Sequence, residues 1–398
     1  MKRRDFLLSG LAAASGSLLP TSICLAQASP QARKVVIIGA GLSGLVAAYE
    51  LSKLNFDVTV LEAQSRPGGR VHTLRSFDEP NLYAEAGAAR IPRDHDLTLK
   101  YIREFNLPLA PFYPTAGKFI RLRDGRAEQV DWDKFEEATS MVLSLNEPEA
   151  WQKIRGGNDQ LPKAFASRLG SKIRYNSPVA RIEPAPSSVV IKFAGKDGAG
   201  SITGDFLISA IPFTMLSKIE ISPALSQAKM DAIRSLTYES ASRVFVETRR
   251  RIWHDQKLNG FGFGENATEI WDSTLGQPGT HGILQTYIRG GSSLDLTRKA
   301  EPDRIESTVA KLDNIFPQVR QNFVRGVSRC WSEDPWVLGA WAHVDGRRAD
   351  ISRRGESRIF FAGEHLSNNA SWMQGALQSG LRVVKEIVQT TAGVSLTI

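Results

Sequence analysis

Cysteine is almost absent from this chain. Of its 398 residues only Cys24 and Cys330 carry a thiol, and Cys24 lies in a leader-like stretch, so the mature chain is expected to hold one thiol and no internal disulfide. No low-complexity tract or internal repeat is evident, which argues against disordered and solenoid classes. A basic stripe is missing as well. The formal net charge is +8 and the pI about 9.5, but the positive residues are dispersed. The densest later run, Arg249-Arg250-Arg251, is too short for a nucleic-acid track. It reads as a solvated strand end, and the net charge as mild steering of acidic ligands, so no nucleic-acid partner is expected. No metal site is expected either.

A membrane span is the next absence. The N-terminus reads Met1-Lys2-Arg3-Arg4-Asp5-Phe6-Leu7-Leu8, followed by an apolar stretch to Leu19 and then Ala26-Gln27-Ala28. Gly10, Ser15, Gly16 and Pro20 interrupt that stretch, which is also short for a span. A basic head, a short apolar segment and a small-x-small site make a secretory signal, and adjacent arginines before Phe-Leu point to the twin-arginine route. Cleavage after Ala28 is expected, with residues 1–28 as the signal and a periplasmic or secreted product. That route carries proteins already folded around cofactors.

What is present is ordinary globular material, 42% hydrophobic and 23% charged, long enough for two domains. Lys34-Val35-Val36-Ile37-Ile38 has the β-branched character of a buried strand, and Gly39-Ala40-Gly41-Leu42-Ser43-Gly44 opens a helix expected over Leu45 to Leu54. In this pattern Gly39, Gly41 and Gly44 allow a tight turn, close approach of backbone to a pyrophosphate, and close helix packing. A second strand, Asp57 to Leu61, ends in Glu62, whose carboxylate can accept ribose hydroxyls. The fingerprint alone does not separate NAD from FAD.

The next stretch does. Arg66-Pro67-Gly68-Gly69-Arg70-Val71-His72-Thr73 resembles the second glycine motif of the flavin-containing amine oxidase family, in which the final Arg lies along the cofactor pyrophosphate. The resemblance covers nearly the whole mature chain. Ser177-Pro178-Val179-Ala180-Arg181-Ile182 resembles the strand whose Val backbone contacts adenine. Phe206 to Pro212 resembles the strand leaving the cofactor domain, and Phe360-Phe361-Ala362-Gly363-Glu364-His365 with Ser371-Trp372-Met373-Gln374-Gly375-Ala376 the closing flavin motif. The resemblance implies that Gly69, Arg70, Ala89, Val179, Trp331, Gly363, Glu364, Trp372 and Met373 contact FAD. A helix from about Gln374 would aim its N-terminus at the flavin pyrimidine.

Within that family, Tyr83-Ala84-Glu85-Ala86-Gly87-Ala88-Ala89-Arg90-Ile91-Pro92 is similar to the L-amino acid oxidases, whose Arg in this context binds the substrate carboxylate; a guanidinium fork suits that group. Tyr287 falls where the same branch places a Tyr hydroxyl on the carboxylate. Trp341 and Trp372 fall where amine oxidases flank the substrate amine with two aromatics. Ala340 stands where covalent members carry the flavin-linked Cys, so non-covalent FAD is implied. Two departures stand out. Arg243 occupies the place of the Lys that holds a water at flavin N5, which leaves O2 or another electron acceptor open. The chain also runs from Gln129 to Lys163 with little more than one or two helices, so the usual helical subdomain is reduced.

The resemblance implies an α/β fold with a discontinuous Rossmann-like FAD domain (33–78, 164–212 and 347–398) and a substrate domain with a mixed β-sheet (79–163 and 213–346). The implied reaction is FAD-dependent oxidative deamination of an L-amino acid. Two alternatives stay open: a primary amine or polyamine oxidase in which Arg90 is structural, and a non-catalytic or electron-transfer flavoprotein. Side-chain preference, acceptor and homodimer formation are not fixed by the sequence.

Overall fold

A computed structural model describes residues 32–123, 126–143, 150–195, 198–264, 268–343 and 349–392. The expected signal, residues 1–28, lies outside the described residues. A five-stranded sheet runs in the order Ile359–Phe361, Phe206–Ser209, Lys34–Ile38, Asp57–Leu61, Ile173–Arg174, with every neighbouring pair parallel. Its strands are apolar on both faces because both are covered. Val35 and Ile37 pack into the core formed by helices Leu42–Lys53 and Met373–Thr391, whereas Val36 and Ile38 point into a second core with Leu207, Phe213 and Phe361. Period-two alternation thus splits one continuous apolar run between two layers.

The first helix begins at Leu42 rather than Leu45. Gly39, at φ 99°, reverses the chain within one residue, so Gly41 already serves as N-cap and Gly44 falls inside the helix. The last helix starts at Met373, one residue before the expected Gln374. The strand read at Ser177 to Ile182 is Val179–Pro184 and belongs to a separate four-stranded sheet.

A seven-stranded mixed sheet runs Phe323–Cys330, Ala241–Thr248, Gly282–Arg289, Glu269–Asp272, Leu258–Gly264, Lys118–Arg123, Arg126–Val130. Its pairings are antiparallel except Leu258–Gly264 with Lys118–Arg123. Val246, Ile270 and Leu284 point to one face and pack against Val309 and Leu312 of helix Glu301–Ile315. Arg243, Glu269, Trp271, Tyr287 and Arg289 therefore share the opposite face. Between Gln129 and Lys163 the described elements are helices Trp132–Leu143 and Gln160–Leu169 and strand Gln152–Ile154.

Candidate active site

A cavity of about 600 Å³ extends between the glycine turn of the parallel sheet and the polar face of the mixed sheet. At the glycine end, a Cβ on Gly44 would lie 2.0 Å from the Gly39 carbonyl oxygen, so Gly44 is the packing glycine and does not face the cavity. Gly41 is different: a Cβ there would meet no atom within 4 Å, and Gly69, at φ 54°, comes alongside it. Two backbone segments free of side chains make a groove at a helix N-terminus, which is the cradle a diphosphate needs. Glu62 is buried beyond it. Its carboxylate accepts the Ala40 N–H at 2.6 Å and the Gln64 N–H at 2.8 Å. Burial still holds its pKa above the ordinary carboxylate range, against those two bonds. Val179 lines the cavity near this carboxylate's strand end.

Arg70 donates to Glu364 at 2.6 Å and to the Ala340 carbonyl at 2.9 Å. Burial works against the Glu364 anion, but Arg70 and the Ser371 N–H, 2.7 Å away, outweigh it and lower the Glu364 pKa. Trp331 is buried and donates its indole N–H to the Ala86 carbonyl at 2.8 Å. Trp372 is the N-cap of the last helix, and it lines the cavity with Met373, Ala89, Gly363 and Ala340. This residue set fits FAD: a bare glycine cradle, a buried carboxylate past the second strand, and a helix N-terminus opening on the same cavity.

Across the mixed sheet Tyr287 stands between Glu269 and Arg243 on neighbouring strands, with Arg289 two residues further along its own strand. Arg90 reaches this face from a loop fixed by Ile91, whose N–H and C=O both pair with Gln152, at 2.8 and 3.0 Å. The Arg90 side chain is only 8% exposed; it pairs with Glu269 and sits 4.5 Å from the Trp271 ring centre. Among the described residues its Nε has no hydrogen-bond partner. Burial acts against the Arg90 cation, yet Glu269 more than offsets this and raises the pKa. Burial likewise opposes the Glu269 anion, and Arg90 and Arg289 outweigh it. Glu269 also accepts the Trp271 indole N–H at 3.0 Å. Tyr287 lines the cavity with its pKa raised by burial, so it remains a phenol able to donate. Arg243 donates to the Glu85 carbonyl oxygen and lies 4.4 Å from the Tyr287 ring centre. Trp341 completes the wall, 6.5 Å from Tyr287 between ring centres.

The flavin containing amine oxidoreductase family matches residues 42–152 and 129–388. YobN of Bacillus subtilis is 30% identical, over 90% of this chain and 95% of its own length. The chain belongs to the flavin-containing amine oxidoreductase family. The flavin-dependent L-tryptophan oxidase RebO of Lentzea aerocolonigenes is 27% identical, over 89% of this chain and 98% of its own. An L-amino-acid oxidase of Siganus canaliculatus is 26% identical, over 90% and 85%. Among solved structures, putrescine oxidase superposes with a TM-score of 0.78 at 19% identity, over 89% of this chain and 99% of that one. Cyclohexylamine oxidase from Brevibacterium oxydans gives 0.78 at 18%, over 91% and 100%. As a member of the family, the protein is an FAD-dependent oxidoreductase.

The cavity of this flavin-containing amine oxidoreductase brings together Gly39, Gly41, Glu62, Gly69, Arg70, Ala89, Arg90, Val179, Arg243, Tyr287, Trp331, Trp341, Gly363, Glu364, Trp372 and Met373. Sequence reasoning missed Glu269, Trp271, Arg289 and the carboxylate of Glu85, whose pKa burial pushes up to about 7. A signal existed for Glu269. A Glu immediately before Ile270-Trp271 in a strand that reads as buried needs a cationic partner, and Arg90 is that partner.

Proposed function

We propose that the protein oxidises an L-amino acid at Cα to an imino acid, which water converts to a 2-oxo acid and ammonia. The observation that carries this reading is Arg90, a guanidinium buried in the wall of the cavity with its Nε unsatisfied. An amine substrate has no use for a cation there, whereas a carboxylate does. FAD supplies the hydride acceptor. The protein's part is orientation: Arg90 and the protonated Tyr287 hold the carboxylate, and Trp341 and Trp372 flank the amine and exclude water. Arg90, Arg243 and Arg289 also raise the positive potential of the wall, which favours the neutral amine over the ammonium and so leaves its lone pair available. No side chain is needed as a nucleophile. Ala340 offers no thiol, so FAD is held without a covalent bond, and Arg243 in the usual Lys place leaves O2 or a different acceptor to take the electrons. Export by the twin-arginine route belongs to the same reading and rests on Arg3, Arg4 and Ala26-Gln27-Ala28.

The relatives named as L-amino-acid and L-tryptophan oxidases support an amino acid substrate. A second reading, an amine oxidase, is favoured by one observation: Glu269 already occupies part of the Arg90 fork. Anaerobic bleaching of the bound flavin by a panel of L-amino acids, D-amino acids and their decarboxylated amines decides between them. Bleaching by L-amino acids and not by the matching amines is expected. Bleaching by the amines alone would overturn the proposal.

A further inference from the structure

Two guanidinium groups lie over one indole ring in the wall of the cavity. The guanidinium carbons of Arg90 and Arg243 are 4.5 and 4.8 Å from the Trp271 ring centre. Both side chains are buried, at 8% and 5% exposure, and both residues line the cavity. Arg243 also stands directly across from Tyr287 on the neighbouring strand, its guanidinium carbon 4.4 Å from that ring's centre. Like charges gathered around one buried ring repel, because little water is left to screen them. Arg90 accordingly adds to burial, the larger effect, in pulling the Arg243 pKa down.

The partners of the two cations differ. Arg90 pairs with the Glu269 carboxylate, whereas among the described residues Arg243 has no carboxylate within ion-pair distance. Its hydrogen bond there runs from Nη1 to the Glu85 carbonyl oxygen, and its Nε has no partner. A guanidinium carries several N–H donors, so among the described residues most of the Arg243 fork meets no acceptor. A buried cation in that state is costly, and a bound anion completes it. The FAD diphosphate has its own cradle at Gly41 and Gly69. Glu269 already takes part of the Arg90 fork, so Arg243 supplies donors that Arg90 does not have free.

We propose that Arg243 is a second arm of the carboxylate clamp, with the substrate α-carboxylate lying between the guanidinium groups of Arg90 and Arg243 and beside the Tyr287 hydroxyl. A carboxylate suits that place, since its two oxygens accept from both groups at once and its charge offsets the repulsion between them. The face of Trp271 attracts each guanidinium, and its indole N–H, donated to Glu269 at 3.0 Å, fixes the ring. This rests on the amino acid reading above. It gives Arg243 a different task from that of the Lys whose place it takes, which holds a water at flavin N5.

The test compares Arg243→Met, Arg243→Lys and Arg90→Met holoenzymes with wild type. Benzoate and its neutral amide, benzamide, are titrated against the oxidised flavin spectrum, and dithionite-reduced flavin is reoxidised with O2. Wild type is expected to bind benzoate more tightly than benzamide. Arg243→Met should weaken benzoate by on the order of tenfold to a hundredfold, the scale of one charge-assisted pair, and leave benzamide unchanged. Arg243→Lys keeps the charge without the fork and should recover part of that loss. If Arg243→Met fails to retain FAD, a crystal structure of the wild-type holoenzyme with benzoate decides. Carboxylate oxygens within hydrogen-bond distance of both guanidinium groups support the clamp; contact with Arg90 alone overturns it. Benzoate binding within about threefold of wild type in Arg243→Met, with Arg90→Met weakened, would overturn this inference and leave the L-amino acid reading standing. A defect confined to reoxidation by O2 would do the same and place Arg243 at the flavin. Wild type that binds benzamide as well as benzoate, and is bleached by amines alone, would remove both.

Discussion

The pairing of Arg90 with Glu269 turns a simple substitution into a sharper one. Replacing Arg90 with Met strands a buried carboxylate, so any loss of activity would be confounded with loss of stability. The cost should be about 3 kcal/mol, at the low end for a broken buried pair, because Arg289 and the Trp271 N–H still face Glu269. Adding Glu269→Gln removes the stranded charge. The double variant should therefore regain most of that stability, read as the melting temperature followed by flavin fluorescence. Activity should behave oppositely. If Arg90 binds the substrate carboxylate, its loss costs about 2 to 5 kcal/mol of transition-state binding, roughly thirty to several thousandfold in kcat/KM, and the second substitution restores none of it. The matching decarboxylated amine should show no such penalty. An Arg90→Met/Glu269→Gln protein that oxidises the amino acid within about threefold of wild type would show that Arg90 serves only Glu269, and the amine oxidase reading would take over.

Gly44→Ala places a methyl 2.0 Å from the Gly39 carbonyl oxygen, so the turn must open at a cost of about 1 to 3 kcal/mol or more; the purified variant should show a lowered flavin-to-protein absorbance ratio, and full flavin content would refute the role given to that turn. Acid precipitation of the wild type should leave intact FAD in the supernatant, because Ala340 provides no thiol; yellow precipitate would contradict this. Glu85 gives a pH signature. Its pKa is raised to about 7 in the folded chain, so the native state binds the extra proton and stability falls as pH rises from the ordinary carboxylate range through about 7, by about 3 kcal/mol in all. Glu85→Gln should flatten that part of the pH–stability curve, and an unchanged slope would assign it elsewhere. Replacing Arg3 and Arg4 with Lys should hold the precursor in the cytoplasm in a fractionation assay; normal export would return residues 1–28 to the ordinary secretory route.

The flavin half of the site was legible because its chemistry is made by backbone, and backbone demands leave marks in sequence. A turn that reverses at Gly39 and admits nothing but hydrogen at Gly44 constrains residue type at fixed spacing. Continuous β-branched runs such as Lys34–Ile38 report a sheet covered on both faces. Boundaries were less legible: the helix starts at Leu42 because Gly39 completes the reversal sooner than the fingerprint suggests.

The substrate half is written differently. Arg90 and Tyr287 are nearly two hundred positions apart and meet only through the register that sets Tyr287 opposite both Glu269 and Arg243. No local pattern encodes that register. In Glu269–Asp272 every residue is buried, with acids at both ends of opposite parity, so period two is hidden. Glu269 finds Arg90, while Asp272, on the other parity, accepts from Thr274 and the Trp253 indole. A sequence shows that two buried acids need partners. It takes the cross-strand geometry to show that the partner of Glu269 is Arg90, so that a carboxylate held there, as proposed, would compete with Glu269 rather than fill an idle fork.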